Sequence, residues 1–197
     1  MRFIGNYSSG KMGYAIAEEL ARQGAKVLLV SGPVSVSTRE EGIQVIHTES
    51  AEDMYRACLT HFPDCDGAVM AAAVADFTPS EHGTQKTKHK GKNLTIELKP
   101  TKDIAHALGK IKKENQILVG FALETHDELS NAQKKLKKKN FDFIVLNSLK
   151  DEGAGFGTDT NKITIISKSN KITPFELKSK KEVAADIVEM IISILPE

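Results

Sequence analysis

The hydrophobic pattern begins with an amphipathic segment that is followed by a continuous apolar run. Within residues 9–23, apolar side chains recur every four residues and would line one face of a helix: Met12, Ile16 and Leu20. Ser8 or Ser9 is available as the N-cap of this helix, and Gly24 as its stop. Residues 27–30 are all apolar, which is typical of a strand covered on both faces in a parallel sheet.

The pattern continues as an alternation of strands and helices. Apolar or alternating runs predict further strands over residues 43–47, 67–73, 94–98, 117–123 and 141–146. Helical spacing predicts helices over residues 51–61, 102–113 and 127–139. Such an alternation predicts the α/β class, here a three-layer αβα domain with a mostly parallel sheet.

The last part of the chain departs from this alternation. Residues 162–167 and 171–177, joined by a turn with Ser and Asn, predict a C-terminal β-hairpin. Residues 181–195 predict a closing helix with one apolar face: Val183, Ile187, Met190 and Ile191. Residues 74–92 are polar and aperiodic, and a connection of this length is typical of a functional loop. We therefore predict a single domain over residues 1–197.

Composition narrows the class of protein. The chain has 197 residues, of which 40% are apolar and 27% charged, as in an ordinary globular protein. It contains no apolar run near the ~20 residues that a membrane span needs, and its first residues are too polar for a signal sequence. Cys58 and Cys65 have no CxxC spacing and no nearby His pair. We expect a cytoplasmic protein with reduced thiols, no structural zinc and no membrane association.

The basic residues are concentrated in the second part of the chain. Residues 1–85 contain 6 Lys and Arg against 11 Asp and Glu, whereas residues 86–197 contain 21 against 15. Of the 27 basic residues 23 are Lys, which indicates point-charge contacts with phosphate more than bidentate reading of bases. Aromatic residues make up 6%, with no Trp, so base stacking has few platforms. These features do not favour a nucleic-acid partner.

The segment 5–13 combines glycines, hydroxyls and a lysine where the first helix starts, and free N–H groups there can bind anions. It nearly matches the P-loop pattern, but Met12 stands where a hydroxyl should hold magnesium, so we reject a P-loop NTPase. Tyr7 and Lys11 have the YxxxK spacing of short-chain dehydrogenases, which we interpret as coincidence. A tightly packed, glycine-rich helix start is the alternative, although it does not account for Asn6.

A second candidate segment is the apolar strand 71–77, which runs into Asp76. In open α/β sheets, ligands bind at the carboxyl ends of the strands. Small alanines would let a flat ligand approach the main chain, and Asp76 could accept hydrogen bonds from a base or a ribose. In the alternative interpretation, the alanines fill a helix interface and Asp76 caps a turn.

The third candidate for a binding site is formed by two groups of lysines. The loop carries Lys86, Lys88, Lys90 and Lys92, and the helix before residue 141 carries Lys134, Lys135, Lys137, Lys138 and Lys139. Most lysines in such runs are solvated. Lys135 and Lys139 are four residues apart and share a helix face, so these two lysines, together with one from the loop, would suit a triphosphate. The six histidines show no metal spacing, so we predict no metal site built from protein side chains.

Six segments in this order resemble the bacterial phosphopantothenate cysteine ligase family: RFIGNYSSGKMGYAIAEELARQGAKVLLVSGP, AAVADF, KTK, VGFALET, KLKKKNFDFIVLN and GFGTDTNKITII. The resemblance covers the whole chain and implies a Rossmann-like cytoplasmic homodimer of coenzyme A biosynthesis, with a hairpin at about residues 160–178 used in dimerisation. It implies a ligase that joins 4'-phosphopantothenate to L-cysteine with CTP and Mg²⁺, through an acyl cytidylate. An alternative is a Rossmann-like nucleotide- or dinucleotide-binding module, or an oxidoreductase, without ligase activity.

The resemblance also implies roles for individual residues. Asn6 would be a catalytic amide, with Arg2 in the same substrate-binding segment, and Lys86 would be catalytic and phosphate-binding. The nucleotide would be bound by Ala72, Asp76, Lys86, Lys102, Asp103, Ile104, Ala105, Phe121, Lys135 and Lys139. The family has a first strand before the residue that corresponds to Arg2, so we expect this strand to be missing, with either a gap or a borrowed strand beside residues 25–30. The family also has a flavin-dependent decarboxylase as a fused or separate partner, and we expect no flavin on this chain.

Overall fold

Five helices and eleven strands alternate in the computed structural model, which describes residues 4–81, 95–124, 126–148 and 158–195. The helices are α1 (Lys11–Arg22), α2 (Ala51–His61), α3 (Ile104–Ile111), α4 (Glu128–Lys138) and α5 (Lys180–Ser193). The strands are β1 (Val27–Ser31), β2 (Ile43–His47), β3 (Gly67–Met70), β4 (Phe77–Pro79), β5 (Leu98–Pro100), β6 (Ile117–Glu124), β7 (Phe143–Ser148), β8 (Thr160–Asn161), β9 (Ile163–Ser167), β10 (Ile172–Pro174) and β11 (Lys178–Ser179). A single 3-10 turn, Phe62–Asp64, follows α2.

The strands form two main sheets and two small ones. The larger main sheet has the order β10-β9-β7-β6-β3, in which β3, β6 and β7 are parallel and β9 and β10 are antiparallel to their neighbours. The other main sheet is the parallel pair β1-β2. Antiparallel pairs β4-β5 and β8-β11 complete the described strands. The predicted α/β class, the parallel core strands and the C-terminal hairpin with its closing helix are thus confirmed.

Apolar side chains on the two faces of the larger sheet build two cores. Alternate residues of a strand point to opposite faces, so Val119 of β6 packs under α1 and α5, while Leu118 packs under α2, α3 and α4. Both side chains are fully buried. On the first face, Ile16 of α1 and Ile187 of α5 lie in the same cluster. The result is the three-layer αβα arrangement that the sequence predicts.

The start of α1 differs from the prediction. Its N-cap is Gly10 and not Ser8 or Ser9, and no side chain caps the helix. Gly10 has φ +76°, and a Cβ there would lie 2.9 Å from a methyl carbon of Val34. Only glycine combines this left-handed backbone with so close a neighbour. The prediction of Gly24 as the stop is confirmed, since it follows the helix with φ +90°.

The predicted strand 67–73 ends early, at Met70. The chain then leaves the sheet, and residues 71–76 have no strand partner among the described residues. The predicted strand 94–98 is displaced, because β5 begins only at Leu98 and pairs with β4. An apolar composition is shared by strands and by partly buried connections, so it does not fix where a strand ends.

The parallel pair β1-β2 is separated from the larger sheet by an interruption between β1 and β3. In the described part of the chain β1 pairs with β2 and β3 pairs with β6, but β1 and β3 do not pair with each other. Val30 of β1 and Met70 of β3 nevertheless pack against the same apolar cluster. The interruption lies beside residues 25–30, where the sequence predicts a gap; that a family strand is missing there stays a prediction.

Asp142, which forms a mostly buried ion pair with Lys112, links three strands of the larger sheet. The Lys112 ammonium lies 2.6 Å from Oδ2 and 2.7 Å from Oδ1 of Asp142. The side chain of Lys112 is 5% exposed and that of Asp142 is 20% exposed. Oδ2 also accepts the Leu118 N–H at 2.7 Å, and the Asp142 carbonyl accepts the Lys168 N–H. The carboxylate of Asp142 therefore joins the start of β7 to β6, and its main-chain carbonyl joins it to the end of β9.

Among the helices that the structure describes, none has the length and apolarity that crossing a membrane requires.

Candidate functional site

The carboxyl end of β3 leads into the segment of residues 71–76, whose conformation is set by side chains from elsewhere in the chain. The Asn6 amide nitrogen, Nδ2, donates to the carbonyl oxygen of Val74 at 3.0 Å and lies 3.4 Å from that of Ala73. Residues that are almost seventy positions apart in sequence are thereby joined. The structure thus brings the predicted catalytic amide directly onto the predicted nucleotide segment.

Thr101 holds the same segment from the other side. Its backbone N–H donates to the carbonyl oxygen of Asp76 at 2.9 Å, and its hydroxyl donates to that of Ala75 at 2.6 Å. Ala72 and Asp76 are themselves exposed, so both are accessible to a ligand. The segment is therefore fixed by its carbonyl groups while these two predicted contact residues remain at the surface.

The start of α3 meets the end of α4 through an ion pair. Asp103 is the N-cap of α3 and accepts the His106 N–H at 3.0 Å, and the Lys139 ammonium lies 3.0 Å from the same carboxylate oxygen. Partial burial alone would raise the pKa of Asp103, but the His106 N–H and the Lys139 ammonium hold it below its ordinary value. Two predicted nucleotide-binding residues are thus in direct contact.

Lys102 points toward α2. Its ammonium lies 2.9 Å from a carboxylate oxygen of Glu52 and 4.8 Å from the centre of the Tyr55 ring. Arg56 contacts the same Glu52 oxygen at 3.0 Å. The hydrogen bond from Lys102, with a contribution from Arg56, lowers the pKa of Glu52. Lys102 therefore anchors the turn after β5 to the body of the domain.

The lysines of α4 fall into two sets. Lys135 and Lys139 are half-buried, whereas the lysines between and before them are exposed: Lys134, Lys137 and Lys138. Lys139 lies just past the last helical residue, as the C-cap. The exposure pattern agrees with the helical spacing from which the shared face of Lys135 and Lys139 is predicted.

The other predicted residues are distributed over both faces of the sheet. Ile104 and Ala105 pack in the cluster under α2, α3 and α4, where Val74 also lies. Phe121 packs on the opposite face, against the cluster under α1 and α5. The structure therefore does not bring Phe121 together with the start of α3. Arg2 and Lys86 lie outside the described residues.

A second polar cluster adjoins the start of α1. The Lys11 ammonium lies 2.6 Å from Asp159, and Lys180, with 9% of its surface exposed, donates to the Thr158 carbonyl oxygen at 2.6 Å. Burial, together with the nearby Lys11, lowers the pKa of Lys180. Neither Asp159 nor Lys180 is among the predicted site residues, although Asp159 lies in the motif GFGTDTNKITII. In sequence, Lys11 and Asp159 are too far apart for any spacing rule to link them.

Three further residues at the site were missed by the sequence predictions: Thr101, Glu52 and Tyr55. Thr101 directly precedes predicted nucleotide residues, which is the signal that could have indicated it. Glu52 and Tyr55 lie on a helix that shows no sign of a ligand in its own sequence. In the part of the chain that the structure describes, no group of three His, Cys, Asp or Glu side chains could hold a metal ion.

These features define a class of protein: a Rossmann-like α/β domain with polar and basic side chains gathered where its parallel strands end, the usual place of a nucleotide site. The chain matches the family described as DNA/pantothenate metabolism flavoprotein C-terminal domain over residues 1–195. It belongs to this family.

Several relatives match over almost the whole chain. It is 45% identical over 194 residues to the coenzyme A biosynthesis bifunctional protein CoaBC of Bacillus subtilis, covering 98% of this chain and 48% of the relative. It is 56% identical over 195 residues to a cysteine/cysteine sulfinic acid decarboxylase of an unknown prokaryotic organism, covering 99% of this chain and 54% of the relative. The chain spans about half the length of these curated relatives.

Solved structures agree with the fold. A crystal structure of the C-terminal domain of a CoaBC protein superposes with a TM-score of 0.83 at 37% identity, covering 99% of this chain and 87% of that one. A Cab2 mutant in complex with phosphopantothenate-cysteine has a TM-score of 0.70 at 18% identity, covering 96% of this chain and 80% of that one. At this identity the second likeness is one of fold.

Proposed function

We propose that the chain is a CTP-dependent ligase of coenzyme A biosynthesis that joins 4'-phosphopantothenate to L-cysteine. The observation that carries this proposal is the direct contact of Asn6 with segment 71–76, beside the Asp103–Lys139 pair. The match to CoaBC over 98% of the chain supports the same reaction. We propose that in the cell it works together with a flavin-dependent decarboxylase, in line with the bifunctional and decarboxylase names of its relatives. We also propose that it is a homodimer, as the family resemblance implies.

The reaction proceeds in two substitutions. A carboxylate oxygen of phosphopantothenate attacks the α-phosphorus of CTP, the bond from this phosphorus to the bridging oxygen breaks, and pyrophosphate leaves. The cysteine amine then attacks the acyl carbon, a C–N bond forms, CMP leaves and the amine loses a proton. Both steps develop negative charge on oxygen, which preorganised amide and ammonium donors stabilise.

We assign the following roles to the residues of the site that the structure describes. Ala72 and Asp76 bind the cytidine from segment 71–76. Asn6 exchanges its 3.4 Å contact with the Ala73 carbonyl for the oxygen on which charge develops beside this segment. Lys139 exchanges its contact with Asp103 for the phosphates, with Lys135 one turn before it. Magnesium would arrive with CTP and would be held chiefly by the phosphates and by water. The ion would neutralise part of the triphosphate charge.

The proposal is tested by pyrophosphate release. We expect release to require phosphopantothenate and CTP together, and phosphopantothenoylcysteine to form when L-cysteine is added. The alternative, a nucleotide- or dinucleotide-binding module without ligase activity, is favoured by the Rossmann-like fold alone. It predicts enhancement of NAD(P)H fluorescence on binding and no pyrophosphate release.

We expect CTP to be preferred over ATP by at least about a hundred-fold in kcat/KM. A site that hydrogen-bonds one base edge leaves its polar groups unpaired when another base enters, and such sites discriminate by orders of magnitude. The measurement compares pyrophosphate release with the two nucleotides, each below saturation. Equal rates with CTP and ATP would contradict a cytidine site at segment 71–76.

Lys86→Gln is expected to slow acyl cytidylate formation by about ten-fold or more while the melting temperature stays within about 2 °C. The substitution removes a charge that we assign to the phosphates. The lysine-rich run 86–92 predicts solvated side chains, and substitutions of solvated residues usually change stability by no more than ~0.5 kcal/mol. Lys137→Gln, on the exposed set of α4 lysines, is the matched control and should leave the rate unchanged. If both variants react at the wild-type rate, Lys86 is a solvated charge.

A further inference from the structure

Thr101 is a single residue that supplies two hydrogen-bond donors to consecutive carbonyl groups. It lies between the last residue of β5, Pro100, and the N-cap of α3, Asp103. Its hydroxyl donates to Ala75 at 2.6 Å, in a partly buried position, and its backbone N–H donates to Asp76 at 2.9 Å. No other residue that the structure describes is shown to bond these two carbonyls.

Segment 71–76 needs such external donors because its own sequence provides few anchors. Four of its six residues are alanines, and beyond Met70 it has left the strand pairing of the sheet. Carbonyl groups that leave a sheet must find donors elsewhere, and a partly buried one without a donor is costly. Asn6 donates to the carbonyls of Ala73 and Val74 in the middle of the segment, and Thr101 donates to those of Ala75 and Asp76 at its end.

Thr101 in turn is fixed to the body of the domain by the two residues that follow it. Lys102 contacts Glu52 of α2 at 2.9 Å, and Asp103 contacts Lys139 at the end of α4 at 3.0 Å. A displacement of segment 71–76 therefore has to break either the Thr101 bonds or these ion pairs. The backbone bond of Thr101 survives any substitution except proline, so the hydroxyl is the part that a variant can test.

We propose that Thr101 is a positioning residue for nucleotide binding, which fixes the position of Asp76 through the Ala75 carbonyl without itself touching the nucleotide. The inference rests on the proposed function, because it assigns the effect to CTP and not to phosphopantothenate. It predicts that the hydroxyl controls the affinity for the nucleotide more than the chemical step. A hydroxyl that served only stability would affect all substrates alike.

The test compares Thr101→Val, which keeps the shape and removes the hydroxyl, with Thr101→Ser, which keeps the hydroxyl. We expect Thr101→Val to raise the KM and the Kd for CTP about ten-fold, since a lost hydrogen bond to a partly buried acceptor is worth about one decade in affinity. The kcat and the KM for phosphopantothenate should change less than about two-fold. Thr101→Ser should restore the CTP values to within about three-fold of wild type.

A control variant and a second measurement separate a positioning role of Thr101 from a general effect on the stability of the domain. Thr173→Val, a partly buried threonine of β10 at the opposite edge of the larger sheet, should leave all constants unchanged. Amide hydrogen exchange in segment 71–76 should become faster in Thr101→Val and not in Thr101→Ser.

The proposal is overturned if Thr101→Val keeps the CTP affinity of wild type, or if it impairs both substrates equally. Faster exchange without a change in CTP affinity would show a structural role only, and overturns it too. If the wild-type protein neither binds CTP nor releases pyrophosphate, the proposed function itself fails and the role of Thr101 in nucleotide binding falls with it. Calorimetric titration of the wild type with CTP distinguishes this result from the others.

Discussion

Asn6→Asp is expected to lower the turnover number of the ligation by about 10²–10³-fold, the usual loss when one donor to a developing oxyanion is removed. In the structure the side-chain nitrogen of Asn6 donates to the Val74 carbonyl and lies close to that of Ala73. A carboxylate in this place cannot donate. It would face two carbonyl oxygens and, in the proposed complex, the phosphates of CTP. The substitution therefore replaces attraction with repulsion at the point where segment 71–76 meets the reacting groups.

The measurement is single-turnover formation of acyl cytidylate at saturating CTP, with the Kd for CTP from titration. Because saturation compensates for weaker binding, a loss that persists there belongs to the chemical step. Asn115→Asp, at an exposed position just before β6, is the matched control for a new negative charge. An unchanged rate, or a loss that higher CTP abolishes, would assign Asn6 to structure or to ground-state binding.

Asp142→Ala is expected to destabilise the fold by about 3–5 kcal/mol, the cost of leaving one member of a buried ion pair without its partner. The Lys112 side chain is 5% exposed and would lose its counterion, and the Leu118 N–H would lose its side-chain acceptor. For a domain of this size, each kcal/mol corresponds to roughly 2–4 °C in melting temperature. We therefore expect the melting temperature to fall by roughly 10 °C.

The controls for this prediction vary burial and chemistry separately. Asp142→Asn keeps an acceptor for Lys112 or for Leu118, and should destabilise less than Asp142→Ala. Asp159→Ala removes the partner of Lys11 in an ion pair whose carboxylate is 86% exposed, and should hardly change the melting temperature. Equal melting temperatures for Asp142→Ala and wild type would show that water solvates Lys112 well enough to replace the carboxylate.

Much of the fold could be predicted because its signals are local. The strand over residues 43–47 and the helix over 51–61 have the predicted bounds. The spacing of apolar residues changes from the two-residue period of a strand to the 3.6-residue period of a helix, and this change marks their ends. The start of α1 could not be predicted from Ser8 and Ser9, because the close approach of Val34 to Gly10 decides it. That contact joins distant parts of the chain, and a sequence pattern does not contain it.

The site, like the fold, could be predicted from the sequence only in part. The sequence indicates Asn6, Asp76 and the lysines of α4 by residue type, but not which atoms they contact. That Lys139 pairs with Asp103, and that Lys102 turns to Glu52, depends on how α2, α3 and α4 pack on one face of the sheet. Thr101 is a common residue type in a connection between a strand and a helix. Only the tertiary structure shows that its hydroxyl donates to the Ala75 carbonyl.

In the part of the chain that the structure describes, β1 and β3 each leave one edge unpaired, so a strand that added there would change the stability of the domain by mass action. Neither strand has a charged residue within it, and charge on an edge is what usually discourages foreign strands from adding. An extended apolar segment that covered these edges, whatever its source, would bind the folded state and not the unfolded one. It would thus act as a ligand does, and would raise the free energy of unfolding in proportion to the logarithm of its concentration once above its Kd.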